Sequence, residues 1–85
     1  MEFKRETTIF LDDEDERFAE IVIVHEDEGV YNIRRTFVSD THRGEGLAGM
    51  LVKEALVFIE EQGGIVKADC PYAHHVLVKK GILKD

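Results

Sequence analysis

Arg43-Gly44-Glu45-Gly46-Leu47-Ala48-Gly49 is the stretch on which the reading of this chain turns. Its three glycines lie between the longest strand-like segment and the longest helical repeat. Upstream, Val30 to Val38 alternates with a period of two. Tyr31, Ile33, Arg35 and Phe37 fall on one face, and Val30, Asn32, Arg34, Thr36 and Val38 on the other. Downstream, Leu47, Met50, Leu51, Glu54, Ala55, Phe58, Ile59 and Gln62 advance by three and four, which is helical spacing with a largely apolar stripe. Asp40 or Thr41 precedes or caps the start, and Gly63-Gly64 ends the helix as a pair of positive-φ residues.

The flanks complete the order. Thr7 to Leu11 is β-branched and aromatic, and the acidic run Asp12 to Glu16 ends it in an exposed turn. Phe18 to His25, with Ile21-Val22-Ile23-Val24 inside it, reads as a second strand; Glu26 to Gly29 is the next turn, with Gly29 free to take positive φ. Three strands joined by short turns form an antiparallel meander. After the helix, Ile65 to Ala68 is a short β-branched strand. A strand–helix–strand crossover places it parallel to Tyr31–Val38. Pro71 to Lys80 forms a short last helix, with Pro at its first position, Ala73, Val76 and Leu77 as its apolar side, and Gly81 as the stop. The order β-β-β-α-β-α defines an α+β fold with a mixed, mostly antiparallel sheet. No repeat or linker interrupts it, so residues 1–85 are expected to form one domain.

Composition bounds the function. The chain has 85 residues and a formal net charge of −7, with 44% hydrophobic and 34% charged residues. An acidic protein is a poor general ligand for nucleic acid or anionic membrane. No apolar run approaches the ~20 residues of a membrane span, and no charged and apolar leader follows Met1. The single cysteine, Cys70, has no internal disulfide partner, so a cytoplasmic protein is expected. The charge is uneven: residues 1–30 carry 11 acidic and 3 basic side chains, whereas residues 31–53 carry 2 and 4. The locally basic stretch is also the glycine-rich one.

Glycines at a helix start let a ligand approach the backbone, and the N–H groups of the first turn have no partners within the helix. With the helix dipole and Arg43 at the same end, the loop suits a phosphate or pyrophosphate. Two other glycine motifs fit poorly. No Gly-Lys-Ser/Thr follows, so it is not a P-loop. Gly44-x-Gly46-x-x-Gly49 matches the letters of a dinucleotide fingerprint, but only Asp69 could act as its acidic partner. A glycine-rich helix start can also serve packing alone.

Arg43-x-x-Gly46-x-Ala48 resembles the Arg/Gln-x-x-Gly-x-Gly/Ala signature of the GNAT N-acetyltransferases, placed as that family places it, after a strand and opening a helix. The run Phe37 to Ala48 looks like the same segment as a whole. Asp69-Cys70-Pro71-Tyr72 resembles the Cys-Pro-Tyr/Phe segment of very small GNAT-like proteins, and the resemblance covers essentially the whole chain. It implies a truncated GNAT-like acyl-CoA N-acyltransferase fold and acetyl-CoA as co-substrate, with no metal. The implied phosphate cradle is Arg43, Gly44, Gly46, Leu47, Ala48 and Gly49, and the implied strand contacts to the pantetheine arm are Phe37 and Val38. The parallel strands would splay near Val38 and Ala68 to admit the thioester. The small proteins lack much of the N-terminal helical region that shapes the acceptor site, so the acceptor stays open. Some relatives carry a histidine on the strand before the signature; here Arg34-Arg35-Thr36 stands there, and no general base stands out.

Cys70 follows a strand and precedes Pro71, an N-cap position where helix N–H groups favour the thiolate. It is a candidate nucleophile, taking the acetyl group and passing it to an amine. It can equally line the site or be an inert buried thiol, and Asp69 opposes a thiolate beside it. Tyr72 is the candidate to protonate the departing coenzyme sulfur, as a tyrosine does in several GNAT enzymes, or a cover for the helix end. His74 and His75, adjacent on a helix, point apart and suit a solvated surface better than zinc. His42, next to Arg43, is in reach of a phosphate. The expected function is acetyl transfer to an amine, a basic one if the acidic surface selects it, with a non-catalytic acyl-CoA-binding or interaction module as the alternative. A monomer or weak dimer is expected.

Overall fold

Ile21-Val22-Ile23-Val24 forms the middle of the sheet, because β-branched residues on both faces suit a strand flanked on either side. A computed structural model describes residues 5–14 and 16–84. Met1, where no leader is expected, and Asp15 of the acidic turn lie outside them. The strands are β1 (Arg5–Asp12), β2 (Arg17–His25), β3 (Val30–Val38) and β4 (Ile65–Ala68); the helices are α1 (Leu47–Glu61) and α2 (Pro71–Lys79). The sheet order is β1-β2-β3-β4. β1 and β3 run antiparallel to β2, and β4 runs parallel to β3. This is the expected α+β order, with each element within two residues of its reading.

One face of the sheet is built by Ala19, Ile21 and Ile23 of β2 with Tyr31 and Ile33 of β3. It packs in a single cluster with Leu51, Val52, Ala55 and Ile59 of α1 and Ala73 and Leu77 of α2. Each fully buried aliphatic side chain contributes ~1.5–3 kcal/mol. The stripe of α1 is turned slightly from its expected position. Val52 is buried and Met50 is 45% exposed, because the helix leans its Leu51/Val52 edge onto β2 and β3. Gly63 ends α1 with φ 68°, while Gly64 does not share a positive φ. Gly64 serves space instead, since a Cβ there would overlap the ring of Tyr31.

The decisive departure is in β3. Ile23 pairs with Ile33 but Val22 pairs with Arg35, so Arg34 has no opposite residue and forms a β-bulge. Beyond the bulge the faces exchange. Ile21 opposes Thr36 and Ala19 opposes Val38, which puts Thr36 and Val38 on the helix-covered face of Ile33. Arg35 and Phe37 turn to the other face, where the Arg35 guanidinium sits 5.5 Å from the Phe37 ring. The uninterrupted alternation expected for β3 is therefore wrong after Ile33.

The bulge also marks where the parallel pair ends. Pairing runs from Val30↔Ile65 to Ile33↔Ala68 and goes no further. The amides of Asp69 and Cys70 both donate to the Ile33 carbonyl, at 3.1 and 3.0 Å, and the chain then turns into α2. The strands part at Ile33 and Ala68, five residues earlier on β3 than expected. The acidic turn after β1 is exposed at Asp12, Asp13, Glu14 and Glu16.

Candidate active site

Where β3 leaves β4, a cleft of about 400 Å³ opens against the start of α1. Thr36 and Val38 of β3 form one wall, Gly46, Leu47, Ala48 and Gly49 another, His42, Arg43 and Gly44 the rim, and Tyr72 of α2 the end. Thr36 and Val38 face it because of the bulge. His42 faces it because Asp40–His42 is a 3-10 turn that reverses the chain after β3.

The start of α1 is open to a ligand. Gly46 caps it with φ 76°, no side chain caps the helix, and the first turn carries no acidic residue. A Cβ on Gly44 or Gly46 would meet nothing within 4 Å, so both glycines border open space. The N–H groups of Leu47, Ala48 and Gly49 precede the first intrahelical bond, from Met50 N–H to the Gly46 carbonyl at 3.1 Å. That is the arrangement that holds a phosphate. Arg43 Nε lies 3.2 Å from Asp40 Oδ1, with both side chains largely in solvent, and such a pair is worth little and opens readily.

At the other end, Cys70 caps α2 by position but makes no side-chain cap bond. Its thiol donates instead to Thr36 Oγ1 at 3.5 Å. Cys70 is only 6% exposed and is not part of the cleft wall; Thr36 is. The Tyr72 hydroxyl lies over the first turn of α1, where a Cβ on Gly49 would stand 3.6 Å from it. Beside Cys70, Asp69 is held below the usual aspartate range, chiefly by the hydrogen bond from Asn32; desolvation opposes this, and the charges of Lys67 and Arg34 add smaller lowering effects.

Of the residues singled out from the sequence, Val38, Arg43, Gly44, Gly46, Leu47, Ala48, Gly49 and Tyr72 meet around this cleft. The Phe37 side chain lies on the opposite face of the sheet, leaving only its backbone on the β3 edge. Cys70 reaches the cleft through Thr36. Thr36 itself was missed, because an unbroken alternation assigns it to the wrong face. His74 and His75 form no group with other metal-ligating side chains among the described residues.

The splayed strands, the glycine turn and the uncapped helix define an acyl-CoA N-acyltransferase fold. The sequence model of the GCN5-related N-acetyl-transferase family matches residues 6–85. The chain belongs to that family of acyltransferases, whose members use acetyl-CoA as co-substrate. Among solved structures, an acetyltransferase from Bacillus cereus is similar at 17% identity and a TM-score of 0.65, over 74% of this chain and 46% of that one. A ribosomal-protein-alanine N-acetyltransferase from Brucella melitensis is similar at 15% identity and a TM-score of 0.66, over 78% of this chain and 50% of that one. The chain thus spans about half the length of these structures. A comparison with curated proteins returns no match.

Proposed function

We propose that this protein is an acetyl-CoA-dependent N-acetyltransferase that moves an acetyl group to an amine. The observation that carries the reading is the opening of β3 from β4 at Ile33 with the uncapped start of α1 at its mouth. The N–H groups of Leu47, Ala48 and Gly49, with Arg43, Gly44 and Gly46, would hold the pyrophosphate. The β3 backbone at Phe37 and Val38 would pair with the pantetheine arm. Open space at Gly44 and Gly46 supports that fit.

Two routes lead to product. In one, the amine attacks the thioester carbonyl, the carbon–sulfur bond to the coenzyme breaks, Tyr72 protonates the leaving sulfur, and the amine's surplus proton passes to water, from which Tyr72 recovers its own. In the other, Cys70 gives its thiol proton to solvent and the thiolate attacks the thioester carbonyl; the carbon–sulfur bond to the coenzyme breaks and the coenzyme sulfur takes up a proton. The amine then attacks the acetyl-cysteine, Cys70 leaves as thiolate, and the amine's surplus proton passes to water. The burial of Cys70 behind Thr36 favours the direct route. A formal charge of −7 favours a cationic acceptor by steering it. The free thiol accords with a cytoplasmic location.

A non-catalytic acyl-CoA-binding module is the second reading. It is favoured by the absence of any carboxylate from the cleft wall among the described residues, which leaves no carboxylate base for the amine there.

Calorimetric titration of acetyl-CoA, followed by intact mass, tests these readings. Binding supports the cleft as drawn. Added acetyl mass that disappears in Cys70→Ala establishes the cysteine route. Turnover of amines without added mass establishes direct transfer, and binding without turnover of any amine leaves the module. Failure to bind at millimolar coenzyme overturns all of them.

A further inference from the structure

We propose that His42 is a phosphate-binding residue of the cleft, donating from Nε2 to the phosphorylated part of acetyl-CoA. The inference rests on the acetyl-CoA reading above and adds a side chain that lies outside the glycine signature.

The imidazole is fixed from two sides. Its ring stacks on Phe18 of β2 with centroids 4.1 Å apart and planes 15° from parallel. Nδ1 lies 3.0 Å from both Ser39 Oγ and Thr41 Oγ1, which are 3.1 Å from each other. The turn that carries these groups is itself pinned to β2, because the Ser39 amide donates to the Phe18 carbonyl at 2.8 Å. Among the described residues nothing bonds Nε2, and His42 stands on the cleft rim beside Arg43 and Gly44. One nitrogen is fully engaged and the other is left for a ligand.

The partners of Nδ1 decide what Nε2 can do. A hydroxyl donates or accepts equally well. When the ring is neutral, Ser39 or Thr41 can donate to Nδ1, which leaves the ring proton on Nε2 as a donor. When the ring is charged, the same hydroxyls turn to accept from Nδ1–H, and Nε2 still donates. An anion at Nε2 therefore finds a donor in either charge state. Because stacking and hydrogen bonds already set the ring direction, little side-chain freedom is lost when the ligand arrives. Phosphate oxygens are the anions that the neighbouring helix start and Arg43 would hold, so one ligand serves all three features.

The test compares acetyl-CoA with S-acetyl-pantetheine, which carries the thioester arm without phosphates, by calorimetry. Wild-type protein is expected to bind acetyl-CoA more tightly. His42→Asn keeps a polar group near the Nδ1 position and removes Nε2. It is expected to weaken acetyl-CoA about tenfold, as loss of a hydrogen bond to a charged group does, and to leave S-acetyl-pantetheine unchanged. His42→Gln, whose amide reaches the Nε2 position, should recover most of the loss. In the wild-type protein, the Nε2 resonance should move on addition of acetyl-CoA and stay in place with S-acetyl-pantetheine, a readout that needs no variant to fold. Equal losses for both ligands, no loss in His42→Asn, or an unmoved Nε2 resonance would each overturn the assignment of His42 alone. A wild-type protein that does not distinguish the two ligands overturns the phosphate cradle and this inference with it.

Discussion

Asn32 and Asp69 grip each other at the point where β3 and β4 part: Asn32 Nδ2 donates to Asp69 Oδ2 at 2.8 Å, and the Asp69 amide donates to Asn32 Oδ1 at 3.0 Å. The second Nδ2 proton goes to Glu26 Oε2 at 3.1 Å. Asn32 is fully buried, and every polar group of its side chain is used. Since Asp69 immediately precedes Cys70, this pair fixes where the chain turns from β4 into α2.

Removing Asn32 should therefore loosen the junction rather than merely empty a pocket. Asn32→Ala leaves the Asp69 amide without its side-chain acceptor and is expected to lose about 1–3 kcal/mol in urea unfolding. A loss below a few tenths would show that water replaces the amide without penalty.

The same pair makes stability depend on acid. The Asp69 carboxyl titrates below its ordinary value of 3.8, chiefly because Asn32 hydrogen-bonds the ionised form. Its contribution is complete above that ordinary value and is lost as pH falls through the lower value of the folded state. The stability difference between wild type and Asp69→Asn should therefore hold steady down to about pH 4 and shrink below it. A difference that stays constant to the acid end would refute the linkage.

Two glycines should fail for different reasons. Gly46→Ala has open space for its methyl group but forces an L-residue to φ 76°, worth about 1–2 kcal/mol of strain. The same methyl would stand beside the uncapped N–H groups, so coenzyme affinity should fall as well. Gly64→Ala drives a methyl into Tyr31, whose ring is held by His25 at 4.3 Å and Phe58 at 6.0 Å. It should lose about 1–3 kcal/mol through overpacking with coenzyme affinity intact. Calorimetry and denaturant curves on both variants separate the two effects.

Thr36 should control the reactivity of Cys70. Its hydroxyl accepts the thiol proton at 3.5 Å and can turn to donate once the thiolate forms. Thr36→Val should slow alkylation of Cys70 by iodoacetamide about tenfold, and Thr36→Ser should restore it. Intact mass over time reads both, and an unchanged rate in Thr36→Val would remove Thr36 from the chemistry.

Tyr72→Phe tests the proposed role of this hydroxyl as the source of the leaving-group proton. Binding of acetyl-CoA should stay within about twofold while turnover falls ~100-fold or more, the usual weight of a general acid. Parallel losses in affinity would mean that the hydroxyl only covers the helix start.

Much of this arrangement could be read along the chain. Gly63 and Gly81 stop helices at positive φ, Pro71 starts one, and the β-branched runs become strands where they were expected. The glycine turn, Arg43 and Tyr72 converge because β3 and β4 run parallel, so the helices that follow them both begin at the same end of the sheet. What escaped is what depends on partners distant in sequence. Gly64 answers to Tyr31, and Val52 rather than Met50 is buried because of how α1 lies on the sheet. The exchange of faces in β3 left no trace in the pattern, since Arg34 and Arg35 look equally solvent-seeking and the bulge is visible only once β2 is laid beside them.

That bulge has an arithmetic of its own. A chain lacking Arg34 would keep Ile33, Thr36 and Val38 on one face and pair with β2 without interruption. Its straightened β3 could continue alongside the residues after Ala68, and the sheet would close like a zipper. The cleft thus begins at a single surplus residue whose own side chain does not line it. Among one-residue changes, shortening the chain there should erase the cleft while leaving the fold more regular than before.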